Sequence, residues 1–434
     1  MIATSHARVG SLLSAALAGW AATASAADQV TFNEHVAPIL RANCVSCHQP
    51  AGADLGGVVA PMSLVTYEEV RPWARAMARK VESREMPPWF ADEPKGVFTN
   101  ERGLTDKEIE TIVAWVNTGA LRGDLSKTPP PLPATGTAGG GYLLGTPDLI
   151  VRMNPYFVAD DAQDLQGTLS LRIPEELLPR DVAIQAWEIR TGTKAKGRES
   201  AVHHICGGVR LPGDTTEDAA DGEGGGSMSL GCIAGGAEPT MLPDGFGMEL
   251  KKGSRVTMNM HYYKQAGPGT GFWSAPEVGF YFAKGPIKHV VRSTTVGTQA
   301  FQIPPNKIGH RVGAAMTLTK DTLILSFWPH AHLRATAARY VAVYPDGRRE
   351  VLLNVPRYDQ GWQVTYKYRE PKLLPKGTRI EYDMLFDNSA QRGAKRDFDS
   401  NQTVWYGPRT QDEMVLGFFS YAEIEPNSPT TGQQ

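Results

Sequence analysis

A proline- and glycine-rich stretch, SKTPPPLPATGTAGGG at residues 126–141, constrains the fold of this chain most strongly. It joins a stiff proline run to a flexible glycine run and contains almost no side chain that could pack. At 434 residues the chain is also too long for a single hydrophobic core. We therefore predict a linker over residues 126–142 that separates an N-terminal domain from a larger C-terminal region.

The segment before the linker, residues 27–125, shows helical patterns. VTFNEHVAPILRAN at residues 30–43 predicts a short amphipathic helix. Thr105 and Glu108 have the spacing of a capping box, which starts a helix. Helical spacing continues after this box at four apolar positions, Ile109, Ile112, Val113 and Val116. These patterns predict an all-α N-terminal domain.

The segment after the linker consists of short alternating runs with turn signals about every ten residues, which is typical of antiparallel β-sandwiches. LKKGSRVTMNMHY at residues 250–262 resembles LPKGTRIEYDMLF at 374–386, with leucine, lysine, glycine, arginine and methionine in register. This repeat predicts two tandem all-β domains, jelly-roll-like antiparallel sandwiches over 143–285 and 286–425, followed by a tail at 426–434.

The N-terminus predicts export, and the charge balance limits the possible partners. Lysine plus arginine (44) nearly equal aspartate plus glutamate (46), which excludes a field strong enough to hold nucleic acid or an anionic membrane surface. Residues 1–26 contain the apolar run SLLSAALAGWAATASA and end in small residues, as a secretory signal does. A retained membrane anchor is the alternative, but the run is short and rich in alanine. We predict a periplasmic protein whose mature form has no membrane span.

The motif CVSCH supplies two thiols, Cys44 and Cys47, that can attach a haem, and His48, which can bind its iron. A redox dithiol usually lies in a βαβ unit, and a zinc site needs two further ligands. The sixth iron ligand is expected to be Met86 in SREMPPW, with Met62 in VAPMSL as the alternative. The segment resembles a class I cytochrome c domain, which implies one covalent haem c.

Five histidines of the β region stand out from those we expect to be structural. They are His203, His204, His261, His330 and His332. In a strand, histidines two residues apart point to the same face about 7 Å apart, so both rings of HAH can reach one metal ion. Adjacent histidines point to opposite faces. The pair HH can therefore share an ion only where the strand twists or ends, or through different ring nitrogens.

The order HH, H, HxH and then a methionine in QDEMVLGF resembles that of the copper type II, ascorbate-dependent monooxygenases, the group of the peptidylglycine α-hydroxylating and dopamine β-monooxygenases. The resemblance covers residues 143–425 and implies two coppers. The first, at His203, His204 and His261, would store and pass an electron. The second, at His330, His332 and Met414, would take up O₂ and carry out hydroxylation, so these three residues are the predicted catalytic set.

Two departures from that family bear on the substrate. Trp328 stands where the peptide-amidating enzymes have an arginine that helps bind the substrate carboxylate, and Leu416 stands where they have an asparagine. We therefore expect a small apolar substrate near Trp328 and Leu416. We expect the haem to receive electrons from a periplasmic donor and to pass them to the copper at His203, His204 and His261, whereas the known family members take electrons from ascorbate. An ascorbate-like reductant is the alternative to the periplasmic donor.

Cys206 and Cys232 are expected to form a disulfide, with a copper-binding thiolate as the minority alternative. The acidic run DTTEDAADGEGGG between them is interpreted as a solvated loop, since its spacing fits no standard calcium loop. The sequence thus predicts a haem- and copper-dependent monooxygenase. The alternatives are a non-catalytic electron-transfer or copper-binding protein and a binding module with vestigial metal sites.

Overall fold

The computed structural model describes most of the chain. The described residues are 29–49, 60, 62–131, 142–192, 202–213, 228–234 and 239–424, without the side chains of His203 and residues 232–234. The predicted signal segment, most of the linker and the acidic run between the two cysteines lie outside this part.

The N-terminal region is helical, as predicted. A π-helical turn, Phe32–Val36, leads into α1 (Ala37–Asn43), and three further helices follow: α2 (Tyr67–Val70), α3 (Ala74–Glu82) and α4 (Asp106–Asn117). Thr105 and Glu108 form the predicted capping box at the start of α4. Among the described residues, helices are all too short or too polar to cross a membrane.

The helices pack around a small apolar core because α4 turns its apolar positions inward. Ile112 and Trp115 are fully buried in one apolar cluster with Phe32 and Leu40, and the Trp115 ring packs against that of Phe32. The indole Nε1 of Trp115 donates to the carbonyl of Leu121, 2.8 Å away, which satisfies its one polar group. The chain therefore folds back across α4 after the helix ends.

An all-β region with many strands follows, also as predicted. Its first half contains β1 (Leu149–Arg152), β2 (Tyr156–Val158), β3 (Asp164–Arg172), β4 (Val182–Arg190), β5 (Val202–Arg210), β6 (Met228–Ala234), β7 (Thr240–Met241), β8 (Phe246–Leu250), β9 (Arg255–Tyr263), β10 (Phe272–Ser274) and β11 (Glu277–Phe282).

The second half has ten strands and one helix within its described residues. They are β12 (His289–Gly297), β13 (Gln302–Ile303), β14 (His310–Thr317), β15 (Thr322–His330), β16 (Ala335–Val343), β17 (Arg349–Val355), β18 (Tyr366–Leu374), β19 (Arg379–Phe386), α5 (Ala390–Arg396), β20 (Val404–Trp405) and β21 (Leu416–Glu423).

One long sheet runs through both halves, in the order β1-β11-β4-β8-β12-β21-β15-β18, with β7 paired to β4. Its halves join where β8 pairs with β12 in parallel, His289 opposite Phe246. Two four-stranded sheets, β3-β9-β5-β6 and β14-β19-β16-β17, complete the main framework. Two apolar cores lie in these halves. The division into two separate sandwiches at residues 285/286 stays a prediction.

The sequence repeat has the same local structure in both halves. Gly253 and Gly377 adopt left-handed backbone angles (φ +81° and +85°) in the turns that lead into β9 and β19. The carbonyl of the residue after each glycine accepts a hydrogen bond from an earlier segment, from Ile173 in the first half and Leu318 in the second, each at 2.9 Å. The same turn thus starts corresponding strands.

The N-terminal region is fixed to the second half by the segment 89–100. Trp89, Phe90 and Phe98 belong to the apolar core of that half, and the rings of Trp89 and Phe98 pack against Tyr366 of β18. Two main-chain hydrogen bonds add to this packing. The amide of Asp92 donates to the Asn354 carbonyl at 3.0 Å, and that of Thr99 to the Lys367 carbonyl at 2.8 Å. The linker is therefore not the sole connection.

Phe98→Ala should weaken this attachment. Phe98 is 1% exposed, so its truncation removes apolar contacts and leaves a cavity, at about 3–5 kcal/mol. We expect a clearly lower midpoint of thermal unfolding. Phe157→Ala is the control, since Phe157 in β2 is 46% exposed and its loss should cost far less. Equal shifts for both variants would contradict the tight attachment.

Candidate functional site

The CVSCH motif forms one helical turn. The amides of Cys47 and His48 both donate to the carbonyl of Cys44, at 3.1 and 3.0 Å. Both cysteines are partly exposed. Their two sulfurs therefore lie on one turn, as covalent attachment of a haem requires.

His48 is oriented by the main chain of Met62. Nδ1 of His48 lies 3.1 Å from the Met62 carbonyl, which can only accept, so Nδ1 carries the proton and Nε2 the lone pair. Burial lowers the pKa of His48, against the opposing effect of this hydrogen bond, so the neutral ring is favoured. Because Met62 is held on the Nδ1 side, its position favours Met86 as the sixth ligand.

Met86 follows α3 and lines a cavity of about 540 Å³. Leu104 and Ile109 contribute apolar walls, and Arg84 and Arg357 contribute positive charge. A space of this size is within the range of cofactor sites. Arg357 belongs to the second β half, so the cavity lies where the helical region meets that half.

The first histidine pair lies on neighbouring strands. His204 of β5 is the register partner of His261 of β9, and the two buried rings have centroids 5.0 Å apart. The register shifts between Val202 and His204, so His203 is the extra residue of a β-bulge. A bulge breaks strand alternation, which is the irregularity that adjacent histidines require. The side chain of His203 lies outside the described part of the chain.

Asp164 of β3 orients the ring of His261. Its Oδ1 lies 2.6 Å from Nε2 of His261, and a carboxylate can only accept, so the lone pair of a neutral ring is on Nδ1. Metal-binding histidines commonly donate their other ring nitrogen to such a carboxylate. The sequence patterns did not point to Asp164, which comes from a strand nearly a hundred positions away.

The second pair is His330 and His332, at the end of β15. Their buried rings have centroids 5.3 Å apart. Nδ1 of His330 lies 2.5 Å from Oε1 of Gln363, and Nδ1 of His332 lies 3.0 Å from the Asp412 carbonyl. Each ring thus carries its proton on Nδ1 and its lone pair on Nε2. On both rings Nε2 is therefore the nitrogen that could bind a metal ion.

Main-chain contacts fix the HAH segment. The Tyr358 hydroxyl accepts from the Ala331 amide at 3.0 Å and donates to its carbonyl at 2.8 Å. Oε2 and Oε1 of Glu413 accept from the amides of His332 and Arg334, at 2.8 and 2.6 Å. Burial raises the pKa of Glu413 to about 7, against the effect of these bonds and of Arg334. Glu413 therefore connects the loop before β21, which contains Met414, to the main chain at His332.

Met414 lies in the loop that leads into β21, and it is 1% exposed. The register of β15 and β21 ends with His330 opposite Leu416, two residues after Met414. The Asp412 carbonyl and the Glu413 carboxylate, just before Met414, accept from Nδ1 and from the amide of His332. The segment that carries Met414 is thus held at the histidine pair, and Met414 as the third ligand stays a prediction.

Residues 36–120 match the family model of cytochrome c. The N-terminal region is a cytochrome c domain. This match implies covalent haem c and haem-mediated electron transfer, so that part of the prediction is confirmed. The two thiols on one turn and Nε2 of His48 fit covalent attachment and iron ligation of that group. Met86 as the second axial ligand stays a prediction.

The other comparisons indicate no function for this chain. No curated protein matches the chain. Similar solved structures include Broad Bean Stain Virus, 12% identical over 71% of this chain and 98% of that chain with a TM-score of 0.31, and the STIV MCP, 11% identical over 65% and 99% with a TM-score of 0.28. Scores this low carry no argument. None of these comparisons supports the copper monooxygenase resemblance.

The two histidine pairs lie on facing surfaces of the β halves. Two contacts join the surfaces beside the first pair: the Thr410 hydroxyl donates to Asp164 Oδ2 at 3.2 Å, and Gln166 Nε2 donates to the Pro408 carbonyl at 3.1 Å. Gln166 is the register partner of His261. The loop that leads to Met414 therefore touches the strand that orients His261.

A third contact joins the surfaces at Trp328. Cys206, two residues after His204 on β5, packs in one cluster with Trp328 and Phe418. The Trp328 ring centroid lies 5.5 Å from that of His330. Cys206 forms a disulfide, as predicted, and its register partner across β5 and β6 is Cys232. This contact links the strand of one pair to the strand of the other.

The predicted substrate position is largely filled. Trp328 is 4% exposed and stacks on Phe418 at 4.6 Å, so it fills space between the halves. The cavity beside it measures about 50 Å³, which holds a few water molecules and no organic substrate. Entry of an apolar molecule there requires Trp328 or Phe418 to move.

The metal ligands stay a prediction. In the described residues, no three or more His, Cys, Asp or Glu side chains are arranged to hold a metal ion. Each candidate copper site shows two such ligands, and the third is Met414 or the undescribed side chain of His203. The nitrogen assignments at His261, His330 and His332 fit metal binding. The sequence analysis identified neither Glu413 nor Gln363. The position of Glu413 directly before Met414 could have indicated its role, whereas no sequence pattern indicated Gln363.

Proposed function

We propose that this chain is an exported haem- and copper-containing monooxygenase that hydroxylates a C–H bond of a small apolar molecule. Two oriented histidine pairs on facing surfaces, with a cytochrome c domain fixed to one half, carry the proposal. The β region would then be two tandem sandwiches with one copper each, in a periplasmic protein whose residues 1–26 are removed. O₂, the substrate and a periplasmic donor or ascorbate-like reductant would be its partners.

The reaction needs two electrons and two protons. One oxygen atom of O₂ enters the C–H bond as hydroxyl, and the other leaves as water. Bound copper would supply one-electron chemistry and open positions for oxygen. The chain's own residues orient the ligands: Asp164 holds His261, Gln363 holds His330, and Glu413 holds the main chain of His332.

Oxygen uptake by the reduced, copper-loaded protein tests this proposal. We expect uptake to rise when a suitable member of a panel of small apolar substrates is added, with a hydroxylated product in matching amount. Protein loaded with zinc instead of copper is the control and should show no such rise. No stimulated uptake over a broad panel would favour the carrier function described next.

A non-catalytic electron-transfer or copper-binding protein is the second candidate. It is favoured by the filled space around Trp328, which leaves no room for a substrate in this conformation. A carrier needs buried, well-oriented ligands and a route for electrons, and it needs no substrate cavity. The oxygen-uptake measurement separates the two candidates because a carrier consumes no oxygen in response to substrate.

A further inference from the structure

We propose that electrons from the haem enter the β region at the His330/His332/Met414 site, through the contact of Trp89 with Tyr366, and not at the His204/His261 pair. The inference rests on the proposed function for the presence of copper. In the transfer, ferrous haem loses one electron and becomes ferric, while one Cu(II) ion at the His330 site becomes Cu(I).

Only a few residues of the chain separate the Trp89–Tyr366 contact from each candidate redox site. Trp89 lies three residues after Met86, the proposed iron ligand. Its ring centroid lies 5.0 Å from that of Tyr366, in an edge-to-face arrangement. Tyr366 lies three residues after Gln363, whose side chain is hydrogen-bonded to His330 at 2.5 Å. One ring contact and one hydrogen bond thus connect the two candidate redox sites.

The ring contact is held in place from both sides. The side chain of Asn100 donates to the Thr365 carbonyl at 2.6 Å and accepts from the Lys367 amide at 3.1 Å. These two hydrogen bonds fix the main chain on both sides of Tyr366. The Trp89 amide donates to the Pro87 carbonyl at 2.9 Å. Fixed geometry favours electron transfer because the coupling does not depend on a transient encounter between domains.

A second set of rings reaches the same strand. Phe98 stacks on Tyr368 with centroids 5.3 Å apart, and Tyr368 lies 5.9 Å from Phe327 of β15. Phe327 precedes His330 by three residues. The described contacts between the cytochrome c segment 89–100 and the β region lead to this half. Aromatic residues are common in cores, but here they lie between Met86 and His330.

Paired histidine variants test the point of entry. Protein with ferrous haem and no copper is mixed anaerobically with Cu(II), and both haem absorbance and the Cu(II) spin-resonance signal are followed. His261→Ala should keep the fast phase of haem oxidation, whereas His330→Ala should lose it. The reverse pattern, or a fast phase kept in both, would overturn the proposed entry point.

Ring variants test the route itself. Trp89→Leu should slow the fast phase, and Trp89→Phe, which keeps an aromatic ring, should restore most of it. Trp273→Leu is the matched control, since Trp273 is 60% exposed in the first half. The haem spectrum and reduction potential should stay unchanged in all three. Equal rates in the Leu and Phe variants would overturn a role for the ring.

Different results would contradict the proposed function and the proposed electron route. Absence of bound copper in the unaltered protein would overturn the proposed function and the relay with it. Bound copper that is reduced at the same rate in Trp89→Leu as in the unaltered protein would overturn the relay alone.

Discussion

Glu413→Ala should destabilise the second half and release its metal site. Glu413 is fully buried and accepts from the amides of His332 and Arg334, and Arg334 is 2% exposed with its guanidinium near this carboxylate. Removing the carboxylate leaves two buried main-chain amides without their acceptor, at about 1–3 kcal/mol for each amide. We expect a much lower free energy of unfolding, loss of copper at the second site and an unchanged haem spectrum.

Glu413→Gln is the matched control for this change. It keeps one carbonyl oxygen as an acceptor, so we expect a smaller loss, of about 1–2 kcal/mol. Urea unfolding followed by tryptophan fluorescence measures both variants, and haem absorbance reports separately on the cytochrome c domain. If Glu413→Ala unfolds at the same urea concentration as the unaltered protein, Glu413 does not hold the HAH segment.

Met414→Leu should abolish hydroxylation while the fold persists. Leucine has a similar volume and no thioether, so packing at this buried position changes little, with an expected cost below about 1.5 kcal/mol. A thioether favours Cu(I), the state that meets oxygen. We expect turnover and one of the two coppers to be lost, with the haem retained, as measured by oxygen uptake and metal content.

Met384→Leu provides the control, because Met384 is equally buried in β19 and lies in the apolar core. It should keep both coppers and normal turnover. Turnover that survives Met414→Leu would exclude Met414 as a ligand at the oxygen-binding copper. Loss of turnover in both variants would point to packing in place of ligation.

The sequence predicted the local features and missed the contacts between distant segments. Thr105 and Glu108 predict the start of α4, because a capping box involves only residues close together in the sequence. The segment 89–100 gave no such signal, since its packing on Tyr366 joins positions more than 250 residues apart. The linker pattern at residues 126–142 predicts a boundary between two regions, and it carries no information about this packing between them.

The candidate site shows the same division. HAH places two rings on one side through strand alternation, and the rings are indeed adjacent. The arrangement of the adjacent histidines depends on the register shift at His203, which the sequence does not show. Gln363, which orients His330, comes from a loop between β17 and β18. Such orienting partners depend on how loops pack, which one-dimensional patterns do not encode.

Metal and haem content of the purified protein tests the central claim most directly. The account predicts one haem and two coppers per chain, with loss of one copper in His330→Ala and of the other in His261→Ala. Zinc in place of copper, or a single copper that survives both substitutions, would contradict it.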